Sequence, residues 1–301
     1  MRFCIEVWGN RYDDIKDTCI LAENLGFFGF YYGESLADID MDCWTVISHL
    51  SAITNKIRLG PVITYLFPQY RSIALLAKQA VTFHDLSGGR LDFRTGAGAI
   101  LQYASDWWYP FGIPYPNVTE RIEILNEGVQ TLYKFWNGNS VFFDGNHLKV
   151  KGGTLQRTNV RIPVTVAAMG ERTMAIAAKY ADVWEVSYLS PNKFKNIEKK
   201  FNDICNHESR DNNNNKIIRS IELDVIIAKS DSELEYKKKL FIMNRGPNVS
   251  AQIMNNGLVG TPDKIKEKIK EYAKAGVDQF FLAFPDPFKR DDLELFIDSV
   301  K

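Results

Sequence analysis

Eight short apolar segments alternate with amphipathic stretches along the whole 301-residue chain, and this alternation constrains the fold more than any other feature. Strands are expected near 2–8, 28–33, 57–64, 90–96, 162–168, 183–188, 220–228 and 278–284, each followed by a helix-forming stretch. Strand–helix alternation points to a parallel sheet, because parallel strands need crossover connections. Eight such units point to closure. The expected fold is α/β: one (β/α)8 TIM-barrel domain spanning residues 1–301, with insertions after strands 4 and 7. The insertions are residues 99–117, rich in aromatics and proline, and residues 244–258. Long loops of this kind often serve as lids or binding loops. Residues 137–160 read as a small hairpin outside the barrel, and the asparagine run at 212–215 as a solvated loop.

Helix ends carry recognisable signals. Asn117 with Glu120 forms the pattern of a capping box, and Ile122, Leu125, Val129, Leu132 and Trp136 follow as one apolar stripe. Thr261-Pro262-Asp263 reads as a cap, a first-turn proline and an acid at the positive helix end, with Gly276 as the stop.

Charge excludes several functions. The 37 basic and 37 acidic side chains cancel, which gives no electrostatic footprint for nucleic acid or an anionic membrane. No apolar run approaches the roughly 20 residues needed to cross a bilayer. Charge within Met1–Glu6 comes too early for a signal-peptide core, so a cytoplasmic protein is expected. Cys4, Cys19, Cys43 and Cys205 are scattered, without CxxC pairs or companion histidines, so free thiols and no metal site are expected.

In such a barrel, chemistry sits where the strands end. Those ends include Trp8, Glu34 and Ser35, Thr64 and Tyr65, Gly96 to Gly98, and Met169 with Gly170, and they contain no histidine. A histidine-centred triad is therefore not expected. Within strands, Leu91 and Phe93 alternate with Asp92 and Arg94, and Ile221, Leu223 and Val225 with Glu222 and Asp224. The apolar set should face the helices, which leaves charges inside and suggests a structural pair between Arg94 and a carboxylate, Glu6 and Glu185 being similarly placed. Two glycine turns, at 95–99 and at Gly170-Glu171-Arg172-Thr173, offer unpaired N–H groups to an anion. Together they favour a phosphate-bearing cofactor.

The segments "AENLGF", "RLGPVIT", "LAKQAVTFHDLSGGRLDFRTGAG", "VAAMGERTMAIAAKYADVWE" and "VGTPDKIKEKIKEYAKAGVDQFFL" resemble the luciferase-like monooxygenase superfamily, in order and spacing over nearly the full length. These barrels use flavin mononucleotide (FMN) or the deazaflavin coenzyme F-420. The resemblance implies a cofactor ring across the barrel mouth, a phosphate near Gly170, Glu171, Arg172 and Thr173 with Met169 beside them, and a non-prolyl cis peptide within Pro61-Val62-Ile63. It also implies contacts to the cofactor from Val62, Ile63, Thr64, Gly96, Ala97 and Gly98, and a homodimer or larger homo-oligomer. Related barrels end the second strand in Asp-His or Glu-His; here the pair is Glu34-Ser35. Serine does not serve as an acid–base group near neutral pH without an activating partner. Glu34 is expected to orient groups or handle a proton, with Ser35 as a hydrogen-bonding group, and Trp8, Tyr65, Tyr103, Trp107 and Trp108 to line the substrate pocket or simply pack the barrel. "GAG" at 96–98 is similar to the deazaflavin-using reductases of methanogens. The expected function is an F-420-dependent oxidoreductase transferring a hydride to or from a small organic substrate. The alternatives are an FMN-dependent monooxygenase and a non-catalytic cofactor-binding barrel.

Overall fold

β1 (Arg2–Val7) starts at the centre of a parallel sheet, pairing with β2 (Gly29–Gly33) on one side and β11 (Gln279–Ala283) on the other. The computed structural model describes residues 1–300 apart from 10, 38, 40, 139, 157–158, 209–215 and 286–288, and apart from the side chains of 103, 105, 248 and 249. The asparagine run at 212–215 therefore lies outside the described residues. Next to β2 comes β3 (Arg58–Val62); beyond β11 come β9 (Ile218–Ile227), β8 (Val183–Ser187), β7 (Val164–Ala167) and β4 (Phe93–Gly96). Between β3 and β4 the ladder thins to two parallel bridges, Leu59–Leu91 and Thr64–Thr95. Thr95 Oγ1 reinforces that seam by donating to the Thr64 carbonyl at 2.8 Å. The result is a nearly closed eight-stranded barrel, as the alternation predicts.

Helices α1 (Tyr12–Leu25), α2 (Cys43–Ile53), α3 (Ile73–Leu86), α5 (Val118–Trp136), α6 (Glu171–Tyr180), α7 (Pro191–His207), α10 (Pro262–Lys274) and α11 (Arg290–Val300) flank the barrel. Strand side chains divide by parity. Phe30 and Tyr32 join the large core under the helices, whereas Tyr31 packs inside the barrel with Cys4, Val62 and Phe281. Leu91 and Phe93 likewise face outward and Arg94 inward; Ile221, Leu223 and Val225 face outward, opposite Glu222 and Asp224. α5 begins with the full capping box at Asn117 and Glu120, and Leu125, Val129, Leu132 and Trp136 of its stripe are buried. At α10, Pro262 takes the first turn, but the Thr261 side chain makes no capping bond.

Both insertions are helical rather than looped. Residues 99–117 contain α4 (Leu101–Trp108) and a 3-10 turn at Tyr109–Phe111. After β9 and α8 (Asp231–Arg245), residues 244–258 form α9 (Pro247–Asn256), which leads into the short β10 (Leu258–Gly260) against β9. The hairpin of β5 (Val141–Asp144) and β6 (Lys149–Gly153) lies outside the barrel ladder. No helix is long and apolar enough to cross a membrane among the described residues.

Candidate active site

The carboxyl ends of all eight barrel strands open onto one cavity of about 990 Å³. It is lined from β1 through β11, with α4, α8 and α9 contributing to its rim; among the described residues no histidine lines it. Pockets that enclose small organic molecules run to roughly 300–1,000 Å³, so this one is large enough for a ring system and a second molecule.

Glu34, just beyond β2, stands on one side of the mouth. Thr64 Oγ1 donates to its Oε2 at 2.7 Å, Tyr70 donates to its Oε1 at 3.1 Å, and Arg71 Nη2 lies 2.7 Å from Oε1. Burial pushes this carboxyl up, against the downward pull of Arg71, Thr64 and Tyr70. Every oxygen is thus occupied, and the group is held in place. Ser35 lines the cavity, and its Oγ accepts from the Ala37 amide at 3.3 Å.

The adjoining wall is backbone. The Val62–Ile63 peptide is cis, within the tripeptide where the family resemblance puts it. Beside it stands Gly96, where an added Cβ would meet Ile63 Cδ1 at 3.0 Å and Ala167 Cβ at 3.2 Å, so a side chain here would crowd the wall. Gly98 adopts φ +82°, a left-handed conformation that favours glycine. Arg121 of α5 fixes the loop from behind: its Nη1 reaches the carbonyls of Ala97, Gly98 and Ala99 at 2.9, 3.0 and 2.6 Å. Further round the rim, α6 begins at Gly170 without any side-chain cap. The first N–H groups of that helix have no intrahelical acceptor and carry the positive end of its dipole.

The floor is acidic. Arg94 binds Glu185 through Nε at 3.0 Å and Nη2 at 2.8 Å, and its Nη1 lies 2.6 Å from Glu6 Oε1. Its guanidinium also stacks 3.7 Å over the Phe281 ring. Burial works against the charge on Arg94, but Glu185 and Glu6 hold it protonated. Glu222 completes a cluster with Glu6 and Glu185, and its Oε2 accepts from Ser187 Oγ at 2.9 Å. Burial, then the neighbouring Glu185, pushes the Glu222 carboxyl up to about 7, and burial pushes Asp224 up to about 6.

Of the residues expected from sequence, Trp8, Glu34, Ser35, Val62, Ile63 and Tyr65 line the cavity, as do Gly96, Ala97, Gly98, Trp107, Met169 and Thr173. Thr64 stands behind Glu34 as its donor. Gly170, Glu171 and Arg172 sit at the start of α6, off the lining, with Arg172 Nη2 3.8 Å from Glu123. Trp108 is packed among Tyr65, Phe67, Tyr70 and Tyr115 and belongs to the core. Tyr103 falls in α4, its side chain outside the described residues. Sequence reasoning missed Tyr188, Arg245 and Gln252, and took Glu222 and Asp224 only as part of an interior ion pair, although all five line the cavity. The signal for the last two was their alternation on β9; Arg245 and Gln252 come from helices in a segment that reads as a loop.

Residues 5–253 match the model of the luciferase-like monooxygenase family. A 5,10-methylenetetrahydromethanopterin reductase from Archaeoglobus fulgidus is 23% identical, with 98% of this chain and 97% of the reductase covered. An F-420-dependent secondary alcohol dehydrogenase, solved with an F-420–acetone adduct, superposes with a TM-score of 0.82 at 17% identity over 100% of both chains. A monooxygenase from Streptomyces bottropensis superposes with a TM-score of 0.81 at 18% identity, over 100% of this chain and 98% of the other. At these identities the superpositions speak to the fold.

Proposed function

The chain belongs to the luciferase-like monooxygenase family, and from that membership we propose that it is an F-420-dependent oxidoreductase that moves a hydride between the deazaflavin and a small organic substrate. One observation carries the reading: the strand-end cavity has a thin backbone wall, Val62–Ile63 and Gly96–Gly98, and reaches Met169 and Thr173 on either side of the uncapped start of α6. The wall suits a flat ring, and the free N–H groups of Glu171, Arg172 and Thr173, with the Arg172 side chain, suit a phosphate. When bound, a deazaflavin or flavin ring supplies or accepts the hydride.

The chain's own residues bind and position. Glu34, tied to Arg71, Thr64 and Tyr70, orients the mouth; using it as a proton carrier would break the Arg71 pair, so the orienting role fits it better. Ser35 adds a hydroxyl to the cavity lining without acid–base power of its own. Trp8, Tyr65 and Trp107 present the apolar surface on which a substrate would lie. The "GAG" at 96–98, similar to the deazaflavin-using reductases of methanogens, supports deazaflavin over FMN.

Oxygen reactivity separates hydride transfer from monooxygenation. Protein loaded with F-420 or FMN, reduced chemically and mixed with air, should bind F-420 more tightly and reoxidise slowly. Preference for FMN with rapid oxygen consumption would reverse the assignment, and binding of neither cofactor would sink it.

A further inference from the structure

The cavity carries more negative charge than a hydride transfer uses. Among the described residues, Glu34, Glu185, Glu222 and Asp224 line it, and Glu6 stands behind Glu185 and Glu222. The guanidiniums that face this group are Arg71 on Glu34, Arg94 on Glu6 and Glu185, and Arg245 at the rim. Five carboxyls thus face three cations; Arg71 is committed to Glu34 and Arg94 to Glu6 and Glu185, while Arg245 acts on Asp224. Asp224 is only 6% exposed, lines the cavity, and has no hydrogen-bond partner for Oδ2. A hydrogen bond from Tyr188, and then the positive charge of Arg245, pull this carboxyl down against the rise from burial. Glu222 accepts from Ser187 on its Oε2, and no other side-chain hydrogen bond reaches its carboxyl among the described residues. A buried carboxylate with an open oxygen is costly unless a further charge or donor arrives to meet it.

We propose that Glu222 and Asp224 recognise a positively charged nitrogen on the substrate, an ammonium or guanidinium group. The inference rests on the proposed function for the cavity's role as a redox site and adds the class of molecule presented there. The two residues alternate on β9 and point to one face, their Cα atoms about 7 Å apart at the usual strand rise. That spacing suits a group with several N–H donors, which can bridge two carboxylates by charge-assisted bonds. A metal ion fits less well, because Arg94 already holds the Glu6 and Glu185 side of the cluster. Since burial leaves Glu222 and Asp224 part-protonated near neutrality, cation binding should strengthen as pH rises through about 6 and about 7 and should release a proton.

Calorimetric titration of the full chain, with and without F-420, using hexylammonium and its neutral counterpart hexanol, tests this. An alkylammonium keeps its charge to about pH 10. Hexylammonium should bind about tenfold or more tightly than hexanol at pH 8, and lose about tenfold by pH 5.5. Asp224→Asn and Glu222→Gln should each weaken hexylammonium by a similar factor while F-420 absorbance titrations stay unchanged. Equal binding of the two ligands by the wild type, pH-independent binding, or competition by magnesium for the same site would overturn the proposal without needing any variant to fold. Failure of F-420 to bind while the hexylammonium preference persists would remove the redox reading and leave the cation site standing.

Discussion

Arg94 commits both ends of its guanidinium, one to Glu185 and the other to Glu6, and all three side chains are almost fully buried. Removing one partner of such a group strands the others, which typically costs about 3–5 kcal/mol. Arg94→Met should therefore lower the thermal midpoint sharply, and the loss should shrink at acid pH, where the stranded carboxyls take up protons. An unchanged midpoint at neutral pH would contradict this account of the barrel interior. The Arg94 pair was legible from alternation along β4, because parity fixes which side chains point inward. Parity does not say which inward charges find each other. Glu222 and Asp224 share the inward face with Glu185, yet Arg94 reaches only the latter. The Arg71 partner of Glu34 was equally hidden, since it sits 37 positions along the chain on the stretch beyond β3. So the replacement of the family histidine by Ser35 was readable, whereas the locking of Glu34 was not.

Elements with a strong local signal were legible, and those stabilised by their neighbours were not. The Asn117–Glu120 box closes both ways, Asn117 Oδ1 accepting from the Thr119 and Glu120 amides and Glu120 Oε2 from the Asn117 amide. Asn117→Ala should cost about 1 kcal/mol, measurable by denaturant unfolding, and should leave cofactor binding intact because neither Asn117 nor Glu120 lines the cavity. A loss well above that would mean that the helix start supports more than itself. By contrast, α9 has the composition of a loop, with Pro247 following Gly246 and asparagine at both ends, and only its packing of Ile253 against Ile226, Leu234 and Phe241 marks it as ordered. β10 is three residues long, too short for any periodicity to show. Thr261 has the right identity for a cap, but its side chain makes no capping bond; nothing in the structure explains that choice.

At the scale of the whole molecule, the barrel converts eight unremarkable strand ends into one shared cavity, and the central claim is that this cavity holds a cofactor ring. The Gly96–Gly98 stretch beside Val62–Ile63 is where this is most exposed to test. Ala97 lines the cavity and is only partly buried, so a larger side chain there can fill the volume without entering the packed core. The most direct measurement is an anaerobic equilibrium titration of F-420 into the wild type and into Ala97→Phe, with the folding of both checked by their unfolding curves. The account predicts saturable binding of one F-420 per chain to the wild type and a loss of about tenfold or more in the variant at unchanged stability. Equal binding to both proteins, or none to the wild type, would contradict it.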